Sequence, residues 1–307
     1  MMKKLRIVFM GTPEFAVPML DILHRSAHEV VAVVTAPDKP AGRGMKLQQS
    51  DIKKYSVEHA LHILQPEKLK NEEFLNQLKS LNADLFVVVA FRMLPEVVWN
   101  MPLLGTINLH ASLLPDYRGA APINWAVING EKETGVTTFK LQHEIDTGNI
   151  IFSDKVAIEE TDNVGDVYQK LMNIGKDVLL KTVNAITTGD FPQVPQAHIK
   201  EVKHAPKLNT ETCRIDWNKS TEALYNLIRG LSPYPAAFTT LNGKILKIYR
   251  AEKNYPPSLK AAGSYDTDEK TYLKFYTTDG VIDCKEVQLE GKKRMSVEEF
   301  LRGNPFK

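Results

Sequence analysis

Four short apolar runs, set apart by stretches of helical or turn-rich patterning, constrain this chain more than any other feature. They are Leu5–Met10, Glu29–Thr35, Asp84–Ala90 and Gly105–Leu109. The stretches Glu14–His24, Asp51–Ala60 and Asn71–Leu81 carry amphipathic helical spacing. Runs this short and this apolar read as strands buried on both faces, and helices between them supply the crossovers. The pattern therefore predicts a parallel sheet covered on each side. In open sheets of this kind the ligand crevice lies beyond the carboxyl ends of the strands. Gly11-Thr12, Phe91-Arg92-Met93-Leu94 and Asn108–His110 fall at those ends, so three separate segments are expected around one crevice.

A chain of 307 residues exceeds one comfortable core and suggests two domains. Val164–Thr188 has helical spacing, with apolar residues at Val167, Leu171, Ile174 and Val178, and is expected to close the first domain after a polar, turn-rich segment over Asp154–Gly165. Pro192, Pro195 and Pro206 interrupt any regular element between Gly189 and Leu208, which reads as an extended linker. A capped helix is expected over Ser220–Leu231, with Ser220 or Thr221 as its N-cap. Strand-like runs follow at Ala236–Leu241, Lys244–Arg250, Thr271–Thr277, Gly280–Val287 and Arg294–Val297. Asn242-Gly243 and Asp279-Gly280 are hairpin signals, so a small open antiparallel barrel is expected here.

A formal charge of +2 excludes an indiscriminate polycation, so any nucleic acid must be met by local patches. Cys213 and Cys284 are too few for a disulfide framework and lack zinc-like spacing, which points to a reducing cytoplasm and no metal. Lys3, Lys4 and Arg6 flank an apolar run that Gly11 and Pro13 break too early for a secretion signal. No apolar run is long enough to span a membrane.

In a strand Asn108 and His110 point to one face, where an amide and an imidazole can converge on one substrate atom. Alone, such a histidine is more often a satisfied structural residue. Asp146-Thr147-Gly148 alone reads as a turn, and Ser112-Leu113-Leu114-Pro115 as a strand exit or helix cap. The glycines and prolines of Pro37–Gly44 exclude regular structure, and Lys39, Arg43 and Lys46 make this an exposed basic loop, either a solvated connection or an anion contact.

Taken together, Asn108–Pro115, Tyr117–Ile123 and Asp146-Thr147-Gly148 resemble the folate-dependent formyltransferase family. Phe9–Ala16, Lys39–Gly44 and the C-terminal region extend the likeness along essentially the whole chain, toward the branch acting on initiator methionyl-tRNA. The resemblance implies an α/β fold with a Rossmann-like formyltransferase domain over 1–189, a linker over 190–207, and an OB-like β-barrel over 208–307 that binds tRNA. It implies Asn108, His110 and Asp146 as catalytic residues. The Asn108 amide and a protonated His110 would stabilise the formyl oxyanion, while Asp146 orients or charges His110 and helps to move the amine proton.

The donor implied is 10-formyltetrahydrofolate, with tetrahydrofolate as product and no metal. Ser112, Leu113, Leu114 and Pro115 would contact the folate, and Phe91, Arg92, Met93 and Leu94 would hold the pterin together with Leu141–Ile145. Here the chain departs from the family pattern, which has Tyr-Gly where Phe91-Arg92 stands. The acceptor end of the tRNA would meet Lys39, Arg43 and Lys46, while Lys207 and Lys247 would extend a basic track on a monomer. A nicotinamide-dependent dehydrogenase is disfavoured, because Gly11-Thr12-Pro13-Glu14-Phe15-Ala16 lacks the glycines of a pyrophosphate cradle. A formyltransferase for glycinamide ribonucleotide or an amino sugar would share the trio, but the basic loop and the barrel favour tRNA. A purely RNA-binding module leaves the trio unexplained.

Overall fold

The computed structural model describes residues 4–41, 46–196 and 201–303. The chain forms two compact units, the first built from the chain up to Arg118, Gly135–Val156 and Gln169–Lys203. The second takes in Gly119–Thr134, Ala157–Tyr168 and the chain from His204 onward.

At the centre of the first unit stands Arg6–Gly11, whose Ile7, Val8, Phe9 and Met10 are wholly excluded from solvent. The sheet order is Ile150–Ala157, Glu133–Lys140, Thr106–His110, Leu85–Val89, Arg6–Gly11, Glu29–Val34, Ile63–Leu64. Every pairing from Ile63–Leu64 across to Thr106–His110 is parallel. The chain first builds outward from the central strand on one side and then returns to build on the other. The reversal falls between Arg6–Gly11 and Leu85–Val89, where Gly11 pairs with Val89. A Cβ on Gly11 would stand 2.8 Å from Ala16 Cβ and 3.0 Å from the Val89 carbonyl oxygen. That crowding explains why a glycine ends the strand at the switch point, where ligands of such sheets bind.

Ser50 caps Asp51–Glu58 by accepting from Lys53 N, and Asn71 caps Glu72–Ser80 by accepting from Phe74 N. The latter helix buries Phe74 and Leu78 in a cluster with Val8, Val34 and Phe86. The helix Val164–Thr188 matches the expected span, and its Gly175 lies so close to the sheet that a Cβ would stand 2.5 Å from Met19 Cε and 3.2 Å from Leu109 Cδ2.

Several expectations need correction. Glu133–Lys140 pairs antiparallel with Thr106–His110, adding a strand of opposite direction to the sheet. The segment read as turn-rich from Asp154 is strand as far as Ala157, because ladder bonds override the weak strand propensity of Asp154 and Lys155. The basic loop begins and ends as a hairpin, Lys39–Ala41 paired with Lys46–Gln48. A two-stranded ribbon leaves one edge of each strand unpaired, and such an edge admits Pro40. Within the segment 190–207 one isolated bridge reaches the sheet, where Val194 and Ile150 exchange backbone hydrogen bonds at 2.8 and 2.9 Å, which an extended linker admits. The helix Pro122–Ile128 was also absent from the sequence reading.

The second unit contains an antiparallel sheet in the order Ala237–Leu241, Lys244–Asn254, Val281–Leu289, Leu273–Tyr276, Tyr265–Thr267, with Met295–Ser296 added to Val281–Leu289. Register shifts around Arg250 bend the long strand Lys244–Asn254 and curl the sheet into the OB-like half-barrel. Thr221–Gly230 carries Ser220 as its N-cap, accepting from Ala223 N, and buries Leu224 and Ile228 in the barrel core. Tyr265–Thr267 and the closing helix Val297–Gly303 were not read from sequence. Cys213 and Cys284 are buried in this core, and burial pushes both thiols up. No helix among the described residues is long and apolar enough to cross a membrane.

Candidate active site

Thr106–His110 runs between a parallel and an antiparallel neighbour and delivers Asn108 and His110 at its carboxyl end. Asn108 is half-buried and His110 is 7% exposed. The imidazole is held by the chain that follows it, since His110 Nε2 lies 2.9 Å from the Tyr117 carbonyl oxygen. A carbonyl only accepts, so Nε2 carries the proton and donates. That leaves Nδ1 as the edge available for chemistry, and Nδ1 faces Asp146 Oδ2 at 3.9 Å. This distance is ion-pair range and too long for a direct hydrogen bond.

Asp146 occupies a left-handed backbone conformation, with φ at 54°, in the turn between two sheet strands. The turn is tightly specified. A Cβ on Gly148 would stand 1.7 Å from the Lys140 carbonyl oxygen, so only glycine permits this approach. From the other side Gln196 Nε2 donates to the carbonyls of Asp146 at 2.8 Å and Gly148 at 2.9 Å. Arg118 Nε in turn donates to Gln196 Oε1 at 3.1 Å. Gln196 escaped the sequence reading because its segment carries only linker composition, and no local pattern marks an amide that closes a turn distant in sequence.

Beyond His110 the chain is stapled to the neighbouring strand. Ser112 is fully buried and donates to the Asp116 carbonyl at 2.6 Å, while Thr137 Oγ1 donates to the Ser112 carbonyl at 2.7 Å and accepts from Leu114 N at 3.2 Å. The Ser112 hydroxyl is thus structural, and Leu113, Leu114 and Pro115 follow it into a wall of which Leu114 is 8% exposed. The loop Phe91–Leu94 follows Leu85–Val89, with Met93 73% exposed and Leu94 buried. Ile145, beside the Asp146 turn, is 57% exposed. Arg92 directs its guanidinium at the carbonyls of Pro66 and Glu67, leaving only its backbone for any folate contact.

Of the basic residues, Lys39 is exposed at the start of the hairpin strand and Lys46 opens the return strand. Arg43 lies outside the described residues. Lys207 and Lys247 belong to the second unit, where Lys207 is exposed and Lys247 Nζ donates to the Pro235 carbonyl at 3.3 Å. Among the described residues no group of three or more His, Cys, Asp and Glu side chains is arranged to hold a metal ion.

Comparison with known proteins adds a second line of argument. Residues 5–183 match the formyl transferase family and residues 207–305 match the formyl transferase C-terminal domain. The methionyl-tRNA formyltransferase of Bacteroides fragilis is 54% identical over 312 residues, covering 98% of this chain and 96% of that protein. That of Phocaeicola vulgatus is 57% identical over 311 residues, with 98% and 96% covered. Among solved structures, the sugar 3N-formyl transferase WlaRD superposes with a TM-score of 0.68 at 19% identity, covering 95% of this chain and 100% of that one. HypX from Aquifex aeolicus in complex with tetrahydrofolic acid gives 0.66 at 19% identity over 97% of this chain, which spans 47% of HypX. At these identities the two structures share a fold with this chain.

Proposed function

The chain belongs to the formyl transferase family, and from that membership we propose that it transfers the formyl group of 10-formyltetrahydrofolate to the α-amine of methionine on initiator methionyl-tRNA. The reading is supported above all by His110, fixed through Nε2 on the Tyr117 carbonyl and facing Asp146 with Nδ1 at the carboxyl end of Thr106–His110.

The reaction exchanges one nitrogen for another at the formyl carbon. The neutral amine attacks, negative charge gathers on the formyl oxygen, the amine loses a proton, and the folate nitrogen gains one as it leaves. Asn108 offers amide N–H to the developing oxyanion, and so does Nδ1–H of His110 when the ring is cationic. Asp146 stabilises that cation and helps to move the amine proton toward the departing folate nitrogen. Met93 and Ile145 offer exposed apolar surface for the pterin, and the backbone of Phe91–Leu94 offers its polar groups.

We read 1–189 as the catalytic domain, 190–207 as a linker and 208–307 as the tRNA-binding OB-like domain, a division that the two family matches support. Lys39, Arg43 and Lys46 are assigned to the acceptor end of the tRNA, and Lys207 and Lys247 to its backbone. The protein is read as a cytoplasmic monomer. The test is transfer of labelled formyl group from 10-formyltetrahydrofolate to charged initiator tRNA, with uncharged tRNA and an amino sugar as controls. Labelling of the charged tRNA alone is expected, and labelling of the sugar instead would overturn the assignment.

A further inference from the structure

Arg92 stands where the family pattern has a small residue, and its surroundings are costly for a cation. Its Nη1 donates to the Glu67 carbonyl at 2.9 Å and its Nη2 to the Pro66 carbonyl, while Nε is buried with no hydrogen-bond partner. The guanidinium also lies 5.5 Å from the centre of the Phe91 ring. Against these contacts stand the partial burial of a cation with no carboxylate facing it among the described residues and one N–H left unsatisfied, both of which cost stability. The gain must lie in what it holds.

What it holds is the turn after Ile63–Leu64, and the next residue back along that turn continues the chain of contacts. Gln65 Nε2 donates to the Ala36 carbonyl at 2.8 Å and to Asp38 Oδ1 at 2.9 Å. Lys53 Nζ donates to the other oxygen of Asp38 at 2.5 Å, a pair only 17% and 21% exposed. Lys39, immediately after Asp38, is the first residue of the basic hairpin. Two sets of hydrogen bonds, joined by the backbone between Gln65 and Pro66, thus link the loop at the end of Leu85–Val89 to the root of the hairpin Lys39–Ala41 and Lys46–Gln48, all within the first unit.

We propose that Arg92, Gln65 and Asp38 form a positioning brace that sets the acceptor hairpin relative to the donor loop, so that Arg92 serves the reaction through Gln65 and Asp38 instead of by touching folate. This rests on the formyl transfer reading for the roles of the two segments. The brace itself is a matter of contacts and can be tested separately.

Steady-state formylation is measured on the full chain with donor and acceptor varied independently. Gln65→Ala is expected to raise KM for methionyl-tRNA about tenfold and to leave KM for 10-formyltetrahydrofolate and kcat within about twofold, as a loss of acceptor binding alone requires. Arg92→Ala is expected to raise the acceptor KM by a similar factor, and the double variant to be no worse than about twice the weaker single, because both cut the same link. Arg92→Lys keeps the charge but cannot fork between two carbonyls, so it should follow Arg92→Ala. Multiplying effects, a donor KM that rises as much as the acceptor KM, or an unchanged acceptor KM would overturn the proposal. Amide hydrogen exchange without substrates separates the brace from the reaction. Faster exchange at Lys39, Ala41, Leu47 and Gln48 in Arg92→Ala, with Leu85–Val89 unchanged, is expected even if the wild-type chain formylates another acceptor. Unchanged hairpin exchange would defeat the brace even in an active formyltransferase.

Discussion

His110 has one nitrogen committed and one available, and the difference decides which substitutions matter. Because Nε2 must donate to the Tyr117 carbonyl, the ring cannot rotate to offer that edge without breaking a buried hydrogen bond. Asp146 faces the other edge, so Asp146→Asn removes the charge while keeping the shape. Turnover is expected to fall by roughly 10²–10⁴-fold with the thermal midpoint nearly unchanged, measured by single-turnover formylation and calorimetry. Gly148→Ala tests the same carboxylate through the backbone. Its Cβ would overlap the Lys140 carbonyl oxygen at 1.7 Å, so the turn must move and carry Asp146 with it. Turnover should fall nearly as far as in Asp146→Asn, now with a lowered midpoint. The alternation of a strand made Asn108 and His110 legible as a pair from sequence. Asp146 was legible only through resemblance, because Asp-Thr-Gly describes a turn wherever it occurs and says nothing about what the turn faces.

Among the elements, those with strong periodicity were legible and those defined by distant partners were not. Arg6–Gly11 buries its apolar run, and Val164–Thr188 buries Val167, Leu171 and Val178 as its pattern predicts, with Ile174 only partly covered. The pairing of Val194 with Ile150, the strand character of Asp154–Ala157 and the hairpin flanking Arg43 depend on ladder partners that no local window contains. Gln196 belongs with these. It holds the Asp146 turn by two carbonyls, and Gln196→Ala is expected to lower kcat about tenfold while the midpoint falls only slightly, which the same two measurements check. In the second unit the helix Thr221–Gly230 is tied at its start to Asp279, which accepts from Thr221 N at 2.7 Å and Oγ1 at 2.8 Å. The backbone N–H of Thr221 is the main reason that the Asp279 carboxyl sits below its usual range, against the opposing effect of burial. A carboxylate depressed in the folded state stabilises above its unfolded pKa and loses that contribution as pH falls through the folded value. Asp279→Asn should therefore lower the midpoint at pH 7 and bring the variant and wild type together under strongly acidic conditions, as thermal melts across that range would show.

For the molecule as a whole, the near balance of charge sets how a polyanion can be met. With a formal net charge of +2 there is no long-range field strong enough to gather tRNA indiscriminately, so affinity must come from a countable number of lysine and arginine contacts. Each contact with a phosphate releases condensed counterions, and the logarithm of affinity falls with the logarithm of salt in proportion to their number. Lys247 already spends one donor on the Pro235 carbonyl, which holds its ammonium in place at little further entropic cost on binding. Replacing it by Gln removes one phosphate contact without reversing the local field. The acceptor KM of Lys247→Gln should rise severalfold at low salt, and its salt slope should be shallower than that of wild type by about 0.7 to 0.9 if one phosphate is lost. Donor KM measured over the same salt series should not change, since folate binding is assigned to the first unit and Lys247 lies in the second. An unaltered acceptor slope would remove Lys247 from the tRNA surface and leave that role to the lysines of the hairpin and of the segment before the barrel.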